Sequence, residues 1–171
     1  MTIQFQLDME DLLAFQSDVI KHSHTHQVKK SYYRWISTIV LFLLVLLLVE
    51  TTPATVVGIF ILTIIYYFSF PFLYQKLSML LYKNQLKKKD FSHLFEPCEM
   101  NLSDIGIERK LNEKTSHFTW DQFQNKREDT NHYFLYVSDL EALIIPKHLL
   151  HLKDEERVDL QKLFERYIPQ S

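Results

Sequence analysis

Glycine is almost missing from this sequence: Gly58 and Gly106 are the only two in 171 residues. The phosphate-cradling loops of nucleotide and dinucleotide sites need clustered glycines, so both are excluded. No Gly-x-Ser-x-Gly elbow and no His-Glu-x-x-His pair is present either, which removes two common hydrolase signatures. With one cysteine, Cys98, neither an intramolecular disulfide nor a thiolate metal cage can form, and a reducing compartment fits. Glu96 and Glu99 beside that thiol should raise its pKa rather than activate it. The stretch Met1 to Asp18 lacks the basic start and early apolar run of a secretory leader, so no cleavage is expected there.

Charge is missing from two further stretches. Trp35 to Val49 holds fifteen uncharged residues and Thr51 to Gln75 holds twenty-five. A bilayer core needs about 20 apolar residues per helical span. The second run meets this unaided, and the first does so with Ser31 to Arg34, since Arg34 can extend its stem toward the headgroups. Both runs are apolar around the whole circumference, unlike a helix with one face in water. They predict a two-helix transmembrane hairpin over 31–75, with spans at about 31–49 and 53–75. Pro53 suits the first turn of the second helix, and Pro71 should kink or end it. Ala54 and Gly58 form a small-xxx-small pair that would let the helices approach closely. Tyr32, Tyr33, Trp35, Tyr66, Tyr67 and Tyr74 are the expected membrane-interface anchors.

The formal net charge of -2 hides a division into an acidic start, a basic centre and an acidic end. Counted from the sequence, residues 1–20, 21–89 and 90–171 carry -4, +8 and -6. Lys21, Lys29, Lys30 and Arg34 precede the first span, and Lys76, Lys83, Lys87, Lys88 and Lys89 follow the second. The positive-inside bias therefore puts both flanks in the cytoplasm of a multi-pass cell-membrane protein. Lys83, Lys87, Lys88 and Lys89 are candidate contacts for anionic lipid headgroups. Nucleic acid is the weaker reading, because these clusters sit beside apolar runs.

Outside the hairpin the periods change. Residues 2–7 alternate like a half-buried strand, and Asp8 starts a helical stretch, so 1–30 reads as a strand plus an amphipathic helix. The strand should join the sheet of the C-terminal domain, since a lone strand cannot stand unpaired. Residues 76–90 read as a basic juxtamembrane helix, and 91–171 as a cytoplasmic domain. Within that domain, strands are expected at Cys98–Leu102, Ile105–Leu111, Lys114–Trp120, Phe123–Arg127, Tyr133–Ser138 and Ala142–Ile145. An amphipathic helix over Lys153–Tyr167, capped by Asp154, closes the chain. The fold class is α+β: a transmembrane hairpin plus a small antiparallel sheet or barrel domain capped by a helix, pleckstrin-homology-like by analogy of element order.

Four segments, NLSDIGIE (Asn101 to Glu108), TWDQF (Thr119 to Phe123), YFLYVS (Tyr133 to Ser138) and LIIPKHLL (Leu143 to Leu150), resemble the YcxB-like family of small bacterial membrane proteins. The resemblance implies an N-terminal strand, a hairpin and a C-terminal domain. None of the four is a catalytic motif. Each has a structural reading: a turn with Gly106 free to adopt positive φ, a Trp120 anchor, a core strand, and a strand broken at Pro146. His148 and Leu149 depart from the family's pattern, in which a second basic residue and a small residue are commoner, so no ligand contact is carried over to that corner.

His22, His24 and His26 alternate, and on a strand they would share a face fit for a metal; in a helix or loop they are solvated and pH-sensitive instead, which is the reading adopted. Lys147 reads as an exposed corner lysine. His93, His117 and His132 are scattered. No cofactor, metal or catalytic residue is assigned, and the chain is expected not to be an enzyme. The expected role is a membrane-anchored binding, regulatory or scaffolding protein of the bacterial cytoplasmic membrane, with lipid and a membrane or cytoplasmic protein as partners, no nucleic acid, and an oligomeric state left open. The alternative is self-protection against a membrane-active peptide or toxin.

Overall fold

The computed structural model describes all residues except 51, 89–94, 113, 149–153 and 169–171. The expectations placed on Lys89, His93, Leu149, Leu150 and Lys153 fall outside the described residues. Two units make up the chain: Met1–Gln16 with Gln85–Ser171, and Ser17–Asn84.

The first unit is built on two antiparallel sheets. Strand β1 (Thr2–Gln6) pairs with β2 (Pro97–Leu102), which pairs with β3 (Gly106–Leu111), and that with β4 (Lys114–Thr119). The second sheet runs in order β5 (Asn125–Glu128), β6 (His132–Ser138) and β7 (Glu141–Pro146). The expected joining of the first strand to the distant sheet is borne out, with Ile3 opposite Met100 and Phe5 opposite Cys98. Alternation explains it: Ile3, Phe5, Cys98, Met100 and Leu102 all point to the buried face, so a slip of one residue would turn every one of them outward.

These side chains share one core with Trp120, Phe123, Leu135, Leu143 and Ile145, with Leu160 and Phe164 of the last helix, α4 (Asp154–Tyr167), and with Ile168 just after it. The spacing of four residues puts them on one helix face. Phe164 has no exposed surface, and burying a ring of that size is worth about 1.5–3 kcal/mol. Tyr167 of the same helix stacks on Trp120, centroids 5.1 Å apart and planes 9° off parallel.

Two turn features differ from expectation. Trp120 is not the end of a strand but opens a 3-10 turn, Trp120–Gln122. Its indole N–H donates to the Ser103 carbonyl at 3.0 Å, which turns the ring under the sheet. Gly106 does not use positive φ. It stands opposite Thr119 in the β3–β4 ladder, and a Cβ there would run into the Phe118 carbonyl oxygen. Close approach is therefore the reason for glycine at this position. Positive φ is taken instead by Asn112, at 53°, a residue type that tolerates it.

Helix α1 (Met9–His22) begins where Asp8 and Asp11 exchange bonds: Asp11 N–H donates to Asp8 Oδ1 at 2.9 Å and Asp8 N–H to Asp11 Oδ2 at 2.7 Å. This reciprocal cap satisfies two of the free N–H groups at the helix start. Ser23 breaks the chain in extended backbone and caps the next helix through His26 N–H at 3.2 Å.

The second unit contains the two long apolar helices, α2 (His24–Leu48) and α3 (Pro53–Lys88). Pro53 stands first in α3, where its missing N–H costs nothing. Both helices run beyond the expected spans, and one expectation is corrected. Helix α2 starts at His24, seven residues before the expected span, because Ser23 caps it there. Pro71 stands inside α3 and does not end it; the helix continues to Lys88, through the basic segment expected to extend it. A Cβ on Gly58 would meet nothing within 4 Å, so Ala54 and Gly58 do not mark a close helix approach.

Candidate functional site

Among the described residues of the first unit, His132, at the start of β6, is held at both ring nitrogens. Its Nε2 lies 2.8 Å from Asp11 Oδ1, and its Nδ1 lies 2.9 Å and 3.0 Å from the two carboxylate oxygens of Asp129. The His132 and Asp11 side chains are 7% and 2% exposed. With a carboxylate facing each ring nitrogen, only the doubly protonated imidazole donates to both. The ring also lies nearly parallel to Phe134, centroids 5.5 Å apart.

Each partner is held from behind. Asp11 is the third residue of α1 and accepts the capping N–H of Asp8 through its other oxygen. Asp129 closes the β5–β6 turn, accepting the N–H groups of Asn131 and His132, both at 2.7 Å. Burial works against ionisation of the Asp129 carboxyl, but the Asn131 and His132 hydrogen bonds and the charge on the His132 ring outweigh it and hold the pKa below the ordinary carboxylate value.

Lys147 completes the corner. Its backbone N–H donates to Asn131 O at 2.6 Å, and its Nζ donates to Asp129 O at 2.7 Å and to Glu128 Oε2 at 3.1 Å. The ammonium also sits 4.4 Å from the centroid of the Tyr133 ring. The lysine expected to be an exposed corner residue is only 25% exposed: Lys147 staples β7 to the β5–β6 turn. Tyr133 itself has its pKa raised, chiefly by burial and secondarily by Glu128.

This carboxylate, imidazole, carboxylate chain orients its own members. The one thiol, Cys98, lies in the other sheet as part of the core, where burial pushes its pKa up against the opposing charge of Arg109. The direction is the expected one, but the cause is burial rather than Glu96 and Glu99. Among the described residues no group of three or more His, Cys, Asp and Glu is placed to hold a metal ion.

The other singled-out residues scatter. His22 closes α1 on Asp18 at 2.9 Å, whereas His24 and His26 lie beyond the break at Ser23. His117 is exposed on β4, 3.7 Å from Glu108. Tyr32 and Tyr33 are exposed and meet edge to face, Trp35 meets Tyr67 at 5.4 Å, Tyr66 meets Phe70, and Tyr74 Oη lies 3.2 Å from His26 Nδ1. Lys83 is exposed on the last turns of α3, where Lys87 and Lys88 also belong to the helix. The Asp11–His132 pair was not read from the sequence, because 121 positions separate its members. The available signal was an aspartate three residues after a capping aspartate.

Fold and site together define an α+β protein in which an antiparallel two-sheet unit, closed by a C-terminal helix and clasped by a buried histidine, accompanies two long apolar helices. Its C-terminal part carries a YcxB-like domain: the model of the family described as YcxB-like protein matches residues 102–164. That match covers β3 to β7 and most of α4, including His132, Asp129 and Lys147, while Asp11 lies outside it. No curated protein and no solved structure matches the chain.

Proposed function

We propose that α2 and α3 anchor the chain in the bacterial cytoplasmic membrane as a hairpin with both flanks in the cytoplasm, and that the sheet unit is a non-enzymatic module that binds a protein or lipid headgroup in a regulatory or scaffolding role. The observation that carries the anchor is the exposure of apolar surface. The most hydrophobic eighteen-residue windows of the two helices are only 6% buried, and Leu47, Leu48 and Phe68 are each at least three-quarters exposed. A core helix of a soluble protein would be mostly covered. Such continuous apolar surface calls for an apolar solvent.

Support for a binding rather than catalytic module comes from the histidine clasp, whose ring nitrogens are both occupied and whose neighbours are carboxylates instead of a nucleophile. We read the four-stranded sheet, the three-stranded sheet and the closing helix as pleckstrin-homology-like by analogy of element order alone. Lys83, Lys87, Lys88 and Lys89 would face anionic headgroups, each attracted by ~1 kcal/mol near the surface. Crosslinking neighbours to the full chain in washed membranes tests this. Reproducible recovery of a membrane or cytoplasmic protein, or of anionic lipid, is expected; a chain found in the soluble fraction, or one that recovers neither, overturns it.

A further inference from the structure

The two apolar runs of the second unit are unequal, and the contacts between α2 and α3 fix where the shorter one stops against the longer. Trp35 begins the fifteen-residue uncharged run of α2, and α3 shares a twenty-five-residue run that lasts to Gln75. Arg34 stands over the Tyr67 ring at 4.5 Å, Trp35 meets the same ring, and His26 meets Tyr74. Tyr67 precedes Gln75 by eight residues, which is about 12 Å of helix. A bilayer that covers the whole uncharged run of α3 therefore reaches past Arg34 on α2.

Among the described residues Arg34 has no carboxylate within ion-pair distance. The acids between Ser17 and Asn84 are Asp18 and Glu50, the first bonded to His22 and the second beyond the far end of α2. Arg34 Nε is buried without a hydrogen bond. Lys30, four residues earlier and so on the same helix face, is also partly buried. Among the described residues neither cation pairs with a carboxylate. Two half-covered, unpaired cations at hydrocarbon depth are stable only with a counter-ion drawn in beside them or with their heads drawn out. The cation–π contact with Tyr67 holds the Arg34 head in, and the buried Nε, left without an acceptor, calls for one.

We propose that Arg34 and Lys30, with the Tyr67 ring as a platform, form a binding site for the phosphate group of an anionic phospholipid, seated against the cytoplasmic half of the hairpin. The guanidinium supplies planar paired donors to phosphate oxygens and the ammonium supplies charge. The site is distinct from the lysines at the end of α3, and it rests on the membrane reading above.

The test uses the full chain in nanodiscs of phosphatidylcholine with and without phosphatidylglycerol, followed by native mass spectrometry of retained lipid. Preferential retention of phosphatidylglycerol is expected, about tenfold weaker in Arg34→Gln and in Lys30→Gln. Arg34→Lys should recover part of it. Lys76→Gln, whose exposed ammonium lies over Phe72, should retain lipid as the unaltered chain does. If Arg34→Gln misfolds, the Lys30→Gln result decides. Retention unchanged in both variants, or complete displacement of phosphatidylglycerol by inorganic phosphate, overturns the lipid site. Recovery of the unaltered chain outside the membrane fraction would instead remove the anchor and this site together.

Discussion

Replacing His132 by alanine would leave the Asp11 carboxylate buried with one oxygen still bonded to Asp8 N–H and the other facing a void. Breaking a buried ion pair by removing one partner costs about 3–5 kcal/mol, because the remaining charge keeps its desolvation penalty. The surviving capping bond favours the lower end, so about 3 kcal/mol is expected. Asp11→Ala should cost a similar amount, since it removes the cap bond as well as the pair. Asp129→Asn should cost far less, because that carboxylate is 42% exposed and exposed pairs contribute roughly 0–1 kcal/mol. Trp120, stacked on Tyr167 in the core of the sheet unit, is the reporter, made the sole tryptophan by Trp35→Phe. At roughly 4 °C per kcal/mol for a unit near 100 residues, His132→Ala should lower its thermal midpoint by about 12 °C. The double variant Asp11→Ala/His132→Ala should fall well short of the sum of the singles. A shift below ~2 °C in His132→Ala, or strict additivity, would refute the clasp as a source of stability.

Other substitutions separate the features that resemble one another in sequence. Gly106→Ala should lower the same midpoint by the equivalent of about 1–3 kcal/mol, through the clash with the Phe118 carbonyl, whereas Gly58→Ala, in open space, should be neutral or stabilise by up to ~1 kcal/mol through helix propensity. The Asp129 carboxyl titrates below its unfolded value, so its contribution is fully present above about pH 4 and is lost as pH falls through the lower folded value. Thermal midpoints between pH 6 and pH 2 should therefore fall less steeply below pH ~4 in Asp129→Asn than in the unaltered chain, and parallel curves would contradict this. Cys98, buried with its pKa raised, should react with iodoacetamide only after unfolding, which mass spectrometry of the native chain checks.

Period-two alternation at Ile3 and Phe5, the apolar runs and the helical spacing of Leu160 and Phe164 were all legible in the sequence, because each is a local pattern dictated by which face is buried. What escaped was decided by partners far along the chain. Glycine at 106 answers to Phe118 rather than to its own dihedral angles, and Trp120 turns out of its strand to reach Ser103. Pro71 remains within α3, which runs on to Lys88. Lys147 looked like an exposed corner lysine because Glu128, Asp129 and Tyr133, which hold it, come together only when β6 and β7 pair. The histidine clasp was hidden most deeply, since a capping aspartate and a turn histidine are each unremarkable until the fold joins them.

The anchor and its orientation are tested most directly by cysteine accessibility in cells, in a Cys98→Ser background. Thr52→Cys, between α2 and α3, and Lys83→Cys, on the last turns of α3, are exposed to a membrane-impermeant maleimide before and after cell disruption. Labelling of Thr52→Cys in spheroplasts with intact membranes, and of Lys83→Cys only after disruption, is predicted. Labelling of Lys83→Cys from outside, or recovery of either variant in the soluble fraction, would contradict the account.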